Sequence, residues 1–259
     1  MVALVAACGT TYSIPEAGAA HTEAAAMKFA QATAQGGRRQ LNAKSAEQRF
    51  SRVAARVEPM GRKYCEALTA DRADFNCAVQ VEIDREMDVR NAYFTYEEGQ
   101  PVIRLSMPLL QDTASDDEAA FVMSHEYGHL IGRHVEKQRQ QAVAGAILVG
   151  VIAGAAAADA DLFDANIINL GVGVGAAAGT FAYSQAYELE SDTLGARIAH
   201  AAGYDPEAGA EFFARPEEAR TGAGKLSFWG THPPDKKRYA TVLATVDQIE
   251  AQIGLQKVE

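Results

Sequence analysis

His125 and His129 lie four residues apart, with Glu126 directly after the first, in a segment with strong helix signals. Ser115 is a good N-cap, and the acidic run at 116–118 suits the positive end of the helix that follows. Because positions i and i+4 share one face of a helix, both imidazoles can reach a single zinc ion. Glu126 is then directed toward an attacking water rather than toward the metal. The pattern predicts a catalytic zinc site on this helix.

A catalytic zinc site needs a third protein ligand, and the sequence offers two solutions. The first is a histidine six residues after His129, but His134 comes one residue too early for that pattern. The second is a glutamate on another helix, and Glu188 fits it. Asp192 follows one turn later on the same face, where it can accept a hydrogen bond from the free nitrogen of a ligand histidine. Glu190 is a neighbouring alternative that lacks an aspartate four residues on. Glu188 is therefore the predicted ligand.

Four motifs in this order resemble the zinc endopeptidase family that includes the CAAX prenyl protease, HtpX and the periplasmic BepA. They are Asn91-Ala92, His125-Glu-x-x-His129, Glu188-x-x-x-Asp192, and His232-Pro followed by Arg238. The resemblance covers roughly residues 50–250. It implies a mainly helical α+β fold of the gluzincin type, in which one zinc per chain is held by His125, His129 and Glu188. Glu126 would be the general base.

The resemblance also implies roles around the metal. His232 would stabilise the oxyanion, or would act as a removable fourth ligand that gates the site. Asn91 and Arg238 are expected to shape the substrate cleft. The substrates would be polypeptides.

The remaining secondary structure is predicted from periodicity. Alternating apolar and polar residues indicate strands at 77–84, 92–96 and 102–107, which would form a small antiparallel sheet. An extended substrate could add to the edge formed by the last of these strands. Apolar, glycine-rich runs within 142–183 predict a buried helical hairpin over the active site, with a membrane-dipping hairpin as the alternative.

The start of the chain is similar to the end of a bacterial lipoprotein signal peptide, because small residues follow an apolar run and end at Cys8. This predicts a truncated signal at 1–8 with Cys8 as the lipidation site, a tether at 9–26, and the peptidase domain at 27–259. An ordinary buried N-terminal segment is the alternative. The expected location is the bacterial periplasm, with a lipid anchor in the outer membrane.

Cys65 and Cys77 are the two other cysteines. In an exported protein they would form a disulfide, and otherwise they would be two buried thiols.

These features together predict a zinc-dependent endopeptidase for unfolded or misassembled envelope proteins. Two alternatives stay open: a membrane-embedded protease, and a periplasmic chaperone or assembly factor whose zinc site is latent. The net charge of −10 argues against a nucleic-acid partner.

Overall fold

The computed structural model describes the ranges 9–35, 40–141, 184–215, 227–233 and 235–258. Within them the chain is mainly helical with one small sheet, which confirms the predicted fold class. The predicted lipidation site Cys8 and the predicted hairpin at 142–183 lie outside the described residues. Among the helices that are described, none is long and apolar enough to cross a bilayer.

The described helices are α1 (Ala19–Gln35), α2 (Ala43–Leu68), α3 (Met107–Asp112), α4 (Asp116–Gly132), α5 (Gln185–Ala201), α6 (Pro206–Ala210), α7 (Phe228–Thr231) and α8 (Lys236–Glu250). The described strands are β1 (Gln80–Asp84), β2 (Ala92–Glu97) and β3 (Gln100–Ser106). Helix α4 begins where the sequence predicts, because the Ser115 hydroxyl accepts a hydrogen bond from the backbone N–H of Glu118. It ends at Gly132, since Arg133 takes a left-handed conformation and caps it.

The sheet is mixed, so the prediction of an antiparallel sheet is wrong. Strand β3 lies in the middle, antiparallel to β2 and parallel to β1. The alternation of apolar residues determines which side chains face the core, but it does not determine the order or direction of strands. Because β3 is paired on both sides, it offers no edge to a substrate. Among the described strands the two edges are β1 and β2.

The segment predicted as a tether packs against the domain instead. Tyr12 is only 1% exposed and pairs with Lys257 in an antiparallel bridge. Its hydroxyl donates a hydrogen bond to the carbonyl of Leu68. Helix α1 then begins at Ala19, inside the predicted tether. The small, polar composition of 9–26 gave no sign of these contacts, because their partners lie far away in the sequence.

Cys65, near the end of α2, and Cys77, before β1, form a disulfide. We expect the double variant Cys65→Ser/Cys77→Ser to have a free energy of unfolding lower by about 3 kcal/mol, because the bridge restrains a short loop of the unfolded chain. Urea unfolding of the variant and of the oxidised wild type measures the difference. The reduced wild type should behave like the variant. Equal midpoints for the variant and the oxidised protein would contradict the prediction.

Helices α4 and α5 approach each other closely at two glycines. A Cβ atom added at Gly128 would lie 2.7 Å from the Cα atom of Ser191. A Cβ atom added at Gly195 would lie 2.9 Å from the backbone nitrogen of His125. Only a residue without a side chain fits either contact. The two helices that carry the predicted metal ligands are therefore held almost backbone to backbone.

We expect Gly128→Ala to lower both the free energy of unfolding and the zinc affinity, because the two helices must separate to admit the methyl group. The loss of stability should be about 1–3 kcal/mol, as for other overpacked cores. Chemical unfolding and zinc titration measure the two effects. Gly254→Ala is the matched control, since a Cβ atom there meets nothing within 4 Å. A Gly128→Ala protein as stable as this control would disprove the close approach.

Candidate active site

Four buried side chains converge on one point between α4, α5 and the loop after α7. The set is His125, His129, Glu188 and His232, and one donor atom from each lies within 4.8 Å of the other three. His125 Nε2 is 2.9 Å from His129 Nε2 and 3.3 Å from His232 Nδ1. Glu188 Oε1 is 3.1 Å from His232 Nδ1 and 3.5 Å from His129 Nε2.

These separations fit a single metal ion. Zinc bonds of 2.0–2.1 Å in a tetrahedron would place the ligand atoms about 3.3 Å apart. Three imidazole nitrogens and a carboxylate oxygen are also a donor set that zinc prefers. The structure thus brings the three predicted ligands together and adds His232 to them through Nδ1.

The protonation states of His125, His129 and Glu188 favour metal binding. Burial lowers the pKa of His125 to about 4, and it lowers the pKa of His129 well below the ordinary histidine value. Burial acts to raise the pKa of Glu188, but the neighbouring Arg238 and His232 outweigh it and bring that pKa to about 2. At neutral pH the site therefore presents neutral rings at these two histidines and an ionised carboxylate, which are the forms that bind a cation.

Asp192 lies behind the first ligand, as the sequence predicts. Its Oδ1 atom is 2.9 Å from Nδ1 of His125, so it can hold that ring with Nε2 toward the metal. Arg238 pairs with the same aspartate through Nη2 at 2.7 Å, and its Nη1 atom is 2.7 Å from Oε2 of Glu188. Arg238 is 1% exposed and lies over the ring of Phe213. Helix α8 thus places Arg238 against the carboxylates of Glu188 and Asp192, and its role in a substrate cleft stays a prediction.

Asn91 is also buried. Its side-chain oxygen accepts a hydrogen bond from the hydroxyl of Thr231, the residue before His232. The backbone N–H of Phe228 donates to the carbonyl of Arg90 next to it. Asn91 therefore ties the start of β2 to the loop that carries His232, so it acts on the site through that loop.

Glu126 points into the site without joining the metal ligands. Neither carboxylate oxygen has a hydrogen-bond partner of normal geometry among the described residues. The nearest imidazole nitrogen is Nε2 of His232, 3.6 Å from Oε1. Burial raises the pKa of Glu126 to about 7, although the charges of His232 and Arg238 and the backbone of Phe94 on β2 act to lower it. A buried carboxyl with a pKa near neutrality can take up and release a proton at working pH.

Glu190 and His134, which the sequence does not favour as metal ligands, also lie close to this site. Glu190 faces away from the metal ligands and toward His134. Nδ1 of His134 is in turn 2.9 Å from Nδ1 of His129. The spacing of His134 excluded it as a ligand, and the structure indeed keeps it outside the ligand group. Only its placement two residues after Gly132, just past the end of α4, could have indicated that it folds back.

The fold and this site define a metallopeptidase built around a helix with the His-Glu-x-x-His pattern. Peptidase family M48 matches residues 48–246, and the chain belongs to this family. The resemblance inferred from the four motifs is thereby confirmed.

Two curated relatives share this region. Over 138 residues the chain is 29% identical to the beta-barrel assembly-enhancing protease of Yersinia pestis. The aligned region is 51% of this chain and 28% of that protein. Over 127 residues it is 31% identical to the mitochondrial metalloendopeptidase OMA1 of Schizosaccharomyces pombe. This aligned region is 48% of this chain and 34% of that protein. The chain thus matches about a third of the length of each relative.

Proposed function

We propose that the protein is a zinc-dependent endopeptidase. The observation that carries the proposal is the buried Glu126 carboxyl, without a normal hydrogen-bond partner among the described residues, beside four converging metal-ligand side chains. A structural zinc site has no use for a free buried carboxyl, because such a group costs stability. A hydrolytic site needs one to move a proton.

The chemistry follows from these residues. Zinc, when bound by His125, His129 and Glu188, would act as a Lewis acid toward the scissile carbonyl and the attacking water. Glu126 accepts the proton that the water loses, and it then delivers this proton to the leaving amine. Its pKa near 7 makes both transfers possible at neutral pH.

His232 supports the gated form of the site. Its Nδ1 atom lies among the metal ligands, and its Nε2 atom is directed toward Glu126. A catalytic zinc keeps one position open for the reactants. We infer that His232 occupies this position at rest and must move away when substrate enters. Once moved, its ring can donate a hydrogen bond to the oxyanion.

Substrate would bind along β2 rather than along β3. Among the described strands, β2 is a sheet edge, and its Phe94 lies next to Glu126. An extended peptide paired with this strand would bring its carbonyl groups past the catalytic carboxyl.

Two further observations support a proposal about the substrates and the location. The disulfide between Cys65 and Cys77 supports an oxidising compartment, such as the periplasm. The name of the Yersinia pestis relative connects that protein to the assembly of β-barrel proteins. We infer that this chain cleaves unfolded or misassembled envelope proteins and that Cys8 carries a lipid anchor in the outer membrane.

The test is to measure zinc content and cleavage of casein by the purified full chain. We expect about one zinc per chain, loss of cleavage with 1,10-phenanthroline, and recovery when zinc is returned. A protein that binds no zinc would refute the proposal. Bound zinc without cleavage of any unfolded protein would instead favour the second candidate, an assembly factor with a latent site. That candidate is supported by the presence of His232 among the ligands.

A further inference from the structure

The metal ligand His129 has a second nitrogen, and this nitrogen begins a buried chain of hydrogen bonds. Nδ1 of His129 is 2.9 Å from Nδ1 of His134. Nε2 of His134 is 2.9 Å from Oε2 of Glu190. All three side chains are completely buried. Neither His134 nor Glu190 takes part in the proposed peptide hydrolysis.

The local backbone is shaped to bring His134 under His129. Arg133 adopts a positive φ of 58°, which ends α4 and turns the chain back. Gly132 leaves room for the returning ring, since a Cβ atom there would lie 2.3 Å from Nε2 of His134. Tyr187 on α5 stacks on the same ring, with 4.5 Å between the centroids. His134 is thus held on the side of His129 that faces away from the metal.

These hydrogen bonds can point in only one direction, from His129 through His134 to Glu190. If Nε2 of His129 binds a metal, its hydrogen is on Nδ1, which then donates to Nδ1 of His134. His134 must therefore carry its own hydrogen on Nε2 and donate it to Glu190. The carboxylate only accepts, so it fixes both tautomers. The hydroxyl of Ser191, 3.2 Å from Nδ1 of His134, can donate to the same acceptor nitrogen.

The other oxygen of Glu190 is held by the N-terminal segment. Oε1 accepts hydrogen bonds from the backbone N–H groups of Thr11 at 2.6 Å and of Tyr12 at 2.7 Å. The ammonium group of Lys137 donates to the hydroxyl of Thr11 at 2.8 Å. The segment is further fixed by the pairing of Tyr12 with Lys257. A part of the chain nearly 180 residues away in sequence therefore orients the carboxylate.

We propose that His134 and Glu190 are positioning residues for the ligand His129, and that the backbone amides of residues 11 and 12 complete their support. The packing of the N-terminal segment against the domain would then determine the metal affinity of the active site. This inference rests on the proposed zinc site. In effect each ligand histidine of α4 has its own carboxylate: His125 has Asp192 directly, and His129 has Glu190 through His134.

The Glu190→Gln variant tests the donor-to-acceptor direction of these hydrogen bonds without changing the shape of the side chain. The glutamine oxygen still accepts from the two backbone amides, so its NH₂ group faces Nε2 of His134. His134 must then accept there and donate from Nδ1, which forces the hydrogen of His129 onto the metal-binding Nε2 atom. The reverse orientation of the amide would set its NH₂ group against two backbone N–H groups.

We expect Glu190→Gln to lower zinc affinity about 10- to 100-fold in competition with a chromophoric chelator. Long-range ¹H–¹⁵N spectra of the metal-free protein should show the His129 hydrogen on Nδ1 in the wild type and on Nε2 in the variant. Glu118→Gln is the matched control: Glu118 is also buried, binds a backbone amide and pairs with Arg215, but at the far end of α4, so any loss of stability there arises away from the metal ligands. It should leave both readouts unchanged.

A second pair of variants tests the N-terminal segment in the full chain. Thr11→Pro removes a backbone N–H that binds Glu190, whereas Ser13→Pro removes one that binds the carbonyl of Gln256. We expect zinc affinity to fall several-fold in Thr11→Pro and to fall less in Ser13→Pro, which weakens the pairing with the C-terminal segment but keeps both N–H groups that bind Glu190. This pair also serves if Glu190→Gln does not fold.

The results that would contradict this inference can be distinguished from those that would contradict the proposed function. Wild-type zinc affinity in Glu190→Gln, or equal losses in the two proline variants, would overturn the inference while the proposed peptidase stands. An equal loss in Glu118→Gln would also overturn it, because the effect would then reflect general stability. A wild-type protein that binds no zinc would refute the proposed function and this inference together.

Discussion

Glu126→Gln is expected to lower the rate of casein cleavage about 10²- to 10⁴-fold while zinc stays bound. Glutamine has the shape of glutamate but cannot take a proton from the attacking water. Because Glu126 is not among the converging ligand atoms, its replacement leaves the metal site intact. Cleavage assays and zinc analysis on the same preparation measure both effects. Glu118→Gln, on the same helix, should cleave casein at the wild-type rate.

The same substitution should stabilise the metal-free protein at high pH. The folded-state pKa of Glu126 is raised from its ordinary value of 4.5 to about 7. Below pH 4.5 the carboxyl is protonated in both the folded and the unfolded chain, so it imposes no cost of ionisation. Between pH 4.5 and 7 the unfolded chain ionises this group while the folded chain keeps it protonated, so stability falls. Above pH 7 the loss levels off at about 3 kcal/mol.

Glu126→Gln should therefore gain stability at pH 8 and gain little at pH 4, although the buried amide retains part of the cost. Urea unfolding of chelator-treated protein at the two pH values measures this. If activity is lost but the pH dependence of stability is unchanged, the carboxyl is hydrated in the folded state, and its pKa is close to the ordinary value. Retained activity would remove Glu126 from the mechanism.

The parts of this protein that sequence analysis predicts well are those determined by positions within one helix. His125, Glu126 and His129 lie within five residues, and helical geometry alone fixes their relation. Glu188 and Asp192 are likewise one turn apart. The start of α4 follows from Ser115 and the acidic residues after it. Joining the two helices required only the assumption that a catalytic metal has a third ligand.

The errors concern contacts between residues that are distant in sequence. The docking of Tyr12 beside Lys257 and the central position of β3 both depend on pairings that leave no periodic pattern. His134 shows the same limit in another form. Its spacing correctly excluded it as a ligand, yet its contact with the far side of His129 depends on the left-handed turn at Arg133.

The Arg238→Met variant is also expected to show a large effect, which is a loss of stability. Arg238 is completely buried between two carboxylates that are themselves buried, Glu188 and Asp192. Methionine fills most of the same volume but leaves both anions without the cation that offsets their burial. Removing one partner of a buried ion pair costs about 3–5 kcal/mol. We expect a loss of this size in urea unfolding of the metal-free protein.

Arg104→Met is the matched control. Arg104 also joins two carboxylates, Glu82 and Glu97, but its side chain is 25% exposed and both partners are about half exposed. Water screens this group, so its loss should cost at most about 1 kcal/mol. Equal losses in the two variants would mean that the Arg238 cluster is solvated. A loss in Arg238→Met that shrinks when zinc is added would show that the metal and the guanidinium stabilise the same carboxylate, Glu188, from opposite sides.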